Sequence, residues 1–155
     1  MKTYNFPDVT LLITHYNRSH SLENLLAVFR RLNCQFGDIV VSDDGSKAEH
    51  SQHLKELQSD YGFRLITTPL NKGLGHNLNK GQDAVKTPYT LYVQEDFEPV
   101  AEFSETFAES LTLFKEHPEF DIIRYYSYIR YPYLKPYNAD FSEMYIPAWA
   151  RKYTK

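Results

Sequence analysis

The chain has 155 residues with six Gly, eight Pro and one Cys, the length of one domain built on one core. Its 17 basic and 20 acidic side chains leave a net charge of −3, which excludes a generally basic nucleic-acid binder. The lone Cys34 excludes an internal disulfide or a cysteine zinc cage, so a cytoplasmic setting is expected, in solution or peripheral at the inner membrane face. The short apolar run Val9–Ile13 is below the ~7–15 residues of a signal h-region, and no run nears the ~20 residues of a membrane span.

Val9-Thr-Leu-Leu-Ile13 reads as a strand buried on both faces of a parallel sheet. Leu22, Leu25, Leu26 and Phe29 follow at helical spacing, with Ser19 or Ser21 placed as N-cap and Cys34 just beyond the helix end. A second strand, Ile39–Val41, runs into Asp43-Asp-Gly-Ser46, where Ser46 and Glu49 have capping-box spacing ahead of Leu54 and Leu57. The third strand, Arg64–Thr67, leads to Asn71-Lys-Gly-Leu-Gly75 and a short helix marked by Leu74, Leu78 and Val85. A fourth, Tyr89–Val93, ends at Gln94-Glu-Asp96; Phe103, Phe107, Leu111 and Phe114 line a further helix, and Ile122-Ile123 reads as a fifth strand. This alternation predicts an α/β, Rossmann-like doubly wound sheet, mostly parallel, with helices on both faces, in one domain over 1–155. Eight of the thirteen tyrosines fall between Tyr125 and Tyr153, interleaved with prolines, so residues 125–155 read as irregular or hairpin structure.

Ligands of such sheets bind outside the carboxyl ends of the strands. The polar segments sit at four such ends: His15–Arg18, Asp43–Ser46, Asn71–Gly75 and Gln94–Asp96. No Gly lies between Thr14 and Asn33, which excludes the glycine loop of a dinucleotide fold, and neither GxxxxGK[ST] nor GxSxG occurs. Phosphates bound here need another source of positive charge, and a divalent ion held by Asp96, with Glu95 beside it, meets that need. His15 and His76 lie in separate loops and no His-x₃-His pair exists, so neither is expected to ligate a metal.

Ile13-Thr-His-Tyr-Asn-Arg18, Val41-Ser-Asp-Asp-Gly-Ser46, Asn71-Lys-Gly-Leu-Gly-His-Asn-Leu-Asn79 and Tyr92-Val-Gln-Glu-Asp96 resemble, in order and spacing over roughly residues 8–100, the motifs of family-2 glycosyltransferases. The resemblance implies a GT-A fold and transfer of a sugar from a nucleoside-diphosphate sugar, UDP- or GDP-linked, to a glycan or other acceptor hydroxyl, with inversion of configuration. It implies that Thr14, His15, Tyr16 and Asn17 border the nucleoside and that Asp43 accepts a hydrogen bond from the base. Asp44 and Ser46 would hold the loop beside the nucleotide. Lys72 and Asn79 would lie by the diphosphate, with Glu95 next to Asp96. Asp96 would be the catalytic residue through a Mn²⁺ or Mg²⁺ that assists the leaving group.

The sequence departs from the pattern at Gln94, which replaces the first acid of the D-x-D metal motif, and at Leu78, which replaces an Arg; no general base is named. Family members continue into an acceptor-binding segment, whereas this sequence stops at Lys155, so a non-catalytic nucleotide-sugar-binding module is the alternative reading. A nucleotidyltransferase would want a glycine-rich basic loop where only Arg18 stands. A further reading makes the tyrosine-rich end a docking face for a second chain that supplies the acceptor site, and a homo-oligomer is among the expected assemblies.

Overall fold

The computed structural model describes residues 2–126, 129 and 131–149. The chain divides into two compact units, residues 1–104 and 105–155. The first holds strands β1 (Tyr4–His15), β2 (Cys34–Asp43), β3 (Arg64–Thr67) and β4 (Tyr89–Gln94), interleaved with helices α1 (Ser19–Arg31), α2 (Ala48–Tyr61) and α3 (Leu74–Gln82). Helix α4 (Phe103–Glu116) begins at its end.

All four strands are parallel, in the order β3-β2-β1-β4. The chain winds outward from β1 through β2 to β3, then returns to the other side of β1, so the strand order reverses between β1 and β4. Right-handed crossovers then put α1 and α2 on one face and α3 on the other. β1 is central, and its residues from Val9 to His15 are all buried, as a strand covered on both faces requires. Around it pack Val40 and Val41 of β2, Leu22, Leu25, Leu26 and Phe29 of α1, Leu54 and Leu57 of α2, and Leu91 of β4. The expected α/β fold is present.

β1 starts earlier than its apolar run, because Tyr4–Phe6 pair with Cys34–Phe36 before the register shifts ahead of Thr10. Pro7, which cannot donate to a ladder, lies in that irregularity. Its carbonyl oxygen would stand only 1.9 Å from a Cβ at position 37, so only Gly37 lets the two backbones meet. Cys34, just beyond the end of α1, opens β2; its Sγ lies 3.2 Å from Ser104 Oγ.

Three local expectations fail. Ser19 and Ser21 do not cap α1, whose N-cap is Arg18, and Lys47 precedes α2 without a side-chain cap. Ser19 turns to His50 and His53, and Ser46 to Asp43 and Asn17, so tertiary partners have claimed both hydroxyls. Residues 121–126 form no strand; Ile122 is 77 % exposed, and without burial a two-residue apolar run has nothing to drive pairing.

In the second unit, α4 sets Phe107 edge-on to Tyr125, whose phenol meets Ser110 Oγ. Strands β5 (Leu134–Pro136) and β6 (Ser142–Met144) form an antiparallel hairpin. Its turn is held by Asn138 Oδ1, which accepts from the N–H groups of Asp140 and Phe141 at 2.9 and 2.8 Å. Of the eight C-terminal tyrosines, Tyr128 and Tyr153 lie outside the described residues. Among the described residues no helix is long and apolar enough to cross a membrane.

Candidate functional site

The parallel register sets His15 beside Asp43 on one flank and Thr14 beside Gln94 on the other. The loop after β1 thus runs between the acids after β2 and those after β4, outside the point where strand order reverses.

His15 is the keystone of this loop. Its Nε2 accepts the Arg18 backbone N–H at 3.2 Å, so the proton resides on Nδ1, which donates to Asp43 Oδ1 at 2.8 Å. Asp43, only 2 % exposed, also accepts from the Ser46 hydroxyl and, at 3.1 Å, from the Ser46 N–H. Burial alone would raise its pKa; the bonds from His15 and Ser46 outweigh that and hold the carboxyl below the usual carboxylate range. Three of about four lone-pair positions are filled, and Oδ2 keeps one.

Asn17 adopts φ +53°, a left-handed conformation that Asn tolerates. Its N–H donates to Ser46 Oγ and its Oδ1 accepts from the Lys47 N–H, each at 2.8 Å, stitching the first loop to the second. Tyr16 between them is 42 % exposed. Thr14 is buried, its hydroxyl 3.1 Å from Tyr92 OH.

Asp44 faces the third loop. It accepts from the backbone N–H groups of Lys72 (3.0 Å) and Gly73 (2.8 Å) and from the Thr68 hydroxyl. Gly45, at φ +74°, turns the chain where a Cβ would come within 2.7 Å of the Leu70 carbonyl carbon. Lys80 Nζ donates to the Asp43 carbonyl at 2.5 Å. Its burial lowers the ammonium pKa, aided by Lys72 and opposed by Asp44 and Asp43. The side chain of Asn79 is exposed on α3, whereas Asn77 is buried, accepting from Ser42 Oγ and donating to the His15 carbonyl.

On the other flank, Asp96 Oδ2 receives Arg18 Nη1 at 2.5 Å, with both side chains about half exposed. Glu95 is buried, and that burial raises its pKa, while the Tyr16 N–H pulls the other way. The first turn of α1 and the segment from Glu95 to Glu98 enclose a depression of about 300 Å³.

The structure therefore ties His15, Asn17, Asp43, Asp44 and the Lys72 backbone into one bonded array, with Asp96 joined through Arg18. It leaves the Lys72 ammonium and Asn79 outside that array. Sequence reasoning gave no role to Arg18 or Asn77. Arg18 closes one of the recognised motifs, but a buried Asn on a short helix has no periodic signature.

The glycosyl transferase family 2 model matches residues 10–152. The teichoic acid poly(glycerol phosphate) polymerase of Staphylococcus epidermidis is 27% identical over 101 residues, 64% of this chain and 14% of that protein, so the chain spans about a seventh of that relative. The structure resembles residues 1–349 of Staphylococcus aureus TarS in complex with UDP-GlcNAc, with TM-score 0.59, 19% identity and coverage of 72% of this chain and 32% of that one. It also resembles the mannosyltransferase PcManGT of Pyrobaculum calidifontis in complex with GDP-Man and Mn²⁺, with TM-score 0.55, 18% identity and coverage of 73% and 35%. A family match across nearly the whole sequence, on a GT-A-like sheet with its polar loops gathered at the strand-order reversal, has one conclusion: the chain belongs to glycosyl transferase family 2.

Proposed function

We propose that this chain is the donor-binding part of a glycosyltransferase that takes a UDP- or GDP-linked sugar and passes the sugar, with inversion, to an acceptor hydroxyl. The observation that carries this reading is the β1 loop held between the Asp43–Asp44 pair and Asp96 at the strand-order reversal. UDP-GlcNAc in the TarS complex and GDP-Man with Mn²⁺ in the PcManGT complex support the donor class by analogy.

Tyr16, exposed beside Asn17, offers an aromatic face to the base. Asp43 takes the base N–H on the remaining lone pair of Oδ2. Its ionisation is secured because His15 and Ser46 hold the charged form. Asp44 and Ser46 shape the loops around the nucleotide, and Asn77 fixes the β1 carbonyl edge from below. Lys72 and Asn79, on the α3 side, reach the diphosphate.

Asp96 fits a divalent ion of the Mg²⁺ or Mn²⁺ type: it is an accessible carboxylate already paired with a cation, and such ions take one or two carboxylates with phosphate oxygens. Among the described residues Asp96 belongs to no group of three ligand-type side chains, so the diphosphate must complete the coordination. When bound there, the ion would neutralise charge on the departing diphosphate as a Lewis acid. Arg18 supplies a second cation at that rim, and release from Asp96 frees its guanidinium for phosphate. Glu95, buried with a raised pKa, supports the Tyr16 N–H.

The neutral Gln94 favours a second reading, a module that binds nucleotide sugar without turnover. Incubation with UDP- and GDP-sugars plus Mn²⁺, read as free sugar and nucleotide, separates the two. Slow hydrolysis supports the transferase; binding without release supports the module; binding of no nucleotide overturns both.

A further inference from the structure

On the surfaces of α1 and α2 stand His20, which also lines the depression beside Asp96, and Glu23 of the first helix, with His53 of the second. One ligand-type atom from each lies within 4.8 Å of the other two. Glu23 Oε2 is 3.6 Å from His20 Nδ1 and 3.5 Å from His53 Nε2. A tetrahedral ion with bonds of about 2.0–2.2 Å has ligand–ligand edges of about 3.4 Å, close to both distances.

The hydrogen bonds around Ser19 fix which nitrogen of His53 faces Glu23. The Ser19 backbone N–H points to His50 Nδ1 at 3.5 Å, which makes that nitrogen an acceptor. The Ser19 hydroxyl, 2.9 Å from the same nitrogen, must then donate to it. Ser19 Oγ can only accept from His53 Nδ1, at 3.0 Å, and this bond turns His53 Nε2 toward Glu23 Oε2. A ligating histidine whose other nitrogen donates to a fixed oxygen is also the usual outer-sphere arrangement of a metal site. Ser19 is buried and holds that orientation firmly.

We propose that His20, Glu23 and His53 form a site for a transition-metal dication of the Zn²⁺ class. Two imidazoles and one carboxylate bind the ion and a water fills the fourth position, so that it clamps α1 to α2. The donor set differs from the Asp96 rim: imidazole nitrogen selects Zn²⁺ over Mg²⁺. The site does not depend on nucleotide binding.

The test is titration of the whole chain with Zn²⁺, and with Co²⁺ as a spectroscopic stand-in, in the absence of nucleotide. The expected result is one equivalent bound, visible absorption of four-coordinate Co²⁺, and a Tm that rises with Zn²⁺. His20→Ala, at a side chain 87 % exposed and so harmless to folding, and His53→Gln should each weaken binding by about tenfold or more, since outer-sphere partners alone carry about 10–100-fold. Asp96→Asn should leave all three readouts unchanged. Zn²⁺ affinity that stays within about threefold of wild type in the His20→Ala/His53→Gln double variant, or Co²⁺ that shows only the weak bands of a six-coordinate ion, overturns the proposal.

Discussion

Asp43 is buried, and its charge is maintained by three donors from two residues. Because its folded pKa lies below the ordinary value near 4, its stabilising contribution is present above that value and is lost as pH falls through the folded pKa. Asp43→Asn should therefore cost about 1–3 kcal/mol in urea unfolding at neutral pH and flatten the acid limb of the stability curve below about pH 4. An acid limb identical to wild type would show that Asp43 is not the titrating group. The Arg18–Asp96 pair behaves differently because water screens it. Arg18→Ala should change stability by less than about 1 kcal/mol while weakening nucleoside-diphosphate binding, a contrast readable by combining urea unfolding with calorimetry. Of these residues the motifs identified Asp43, Asp44 and Asp96. Ser46 carried two plausible uses, helix cap and loop bond, and only the fold shows Asp43 winning the hydroxyl.

At the level of elements, sequence patterning read β1 to β4 and the three helices between them because apolar runs and helical spacing are driven by burial. It failed where the driving force was tertiary. The hydroxyls of Ser19 and Ser46 matched the local rule for caps, but across the fold Ser19 is bonded to two histidines and Ser46 to the Asn17 N–H, with Ser46 also donating to Asp43 just before it. Ile122-Ile123 has strand composition with no sheet to enter. The turn at Gly45 joins the second and third loops, and two constraints act there together, a left-handed φ and contact with the Leu70 backbone. Gly45→Ala should destabilise the fold by about 1–3 kcal/mol and weaken nucleotide binding further than that loss explains. Unchanged nucleotide affinity would mean the turn is structural only. In α4 the Ser110–Tyr125 contact offers a spectroscopic handle. Burial pushes the Tyr125 phenol up to about 12 against the pull of the Ser110 bond, so ultraviolet titration should show one tyrosine ionising about two pH units after ordinary ones, and Tyr125→Phe should remove it.

Across the whole molecule, one sheet order brings four sequence-distant loops to one rim, and the bonded chain from Asp96 through Arg18 and His15 to Asp43 spans it. The strand order was legible only as a class: alternation implies a doubly wound sheet, while the reversal between β1 and β4 depends on long-range pairing. The His20, Glu23 and His53 cluster was likewise hidden, since it is completed only when a second helix brings His53 to the His20–Glu23 pair. The central claim, that Asp96 and a diphosphate together hold the divalent ion, is tested most directly by calorimetric titration of UDP and GDP with and without Mn²⁺. The titration is run on the wild type, Asp96→Ala and His53→Gln. Mn²⁺ should tighten nucleotide binding by about tenfold or more in the wild type and in His53→Gln, and this gain should vanish in Asp96→Ala at unchanged Tm. A Mn²⁺ gain of the same size in Asp96→Ala would contradict the account.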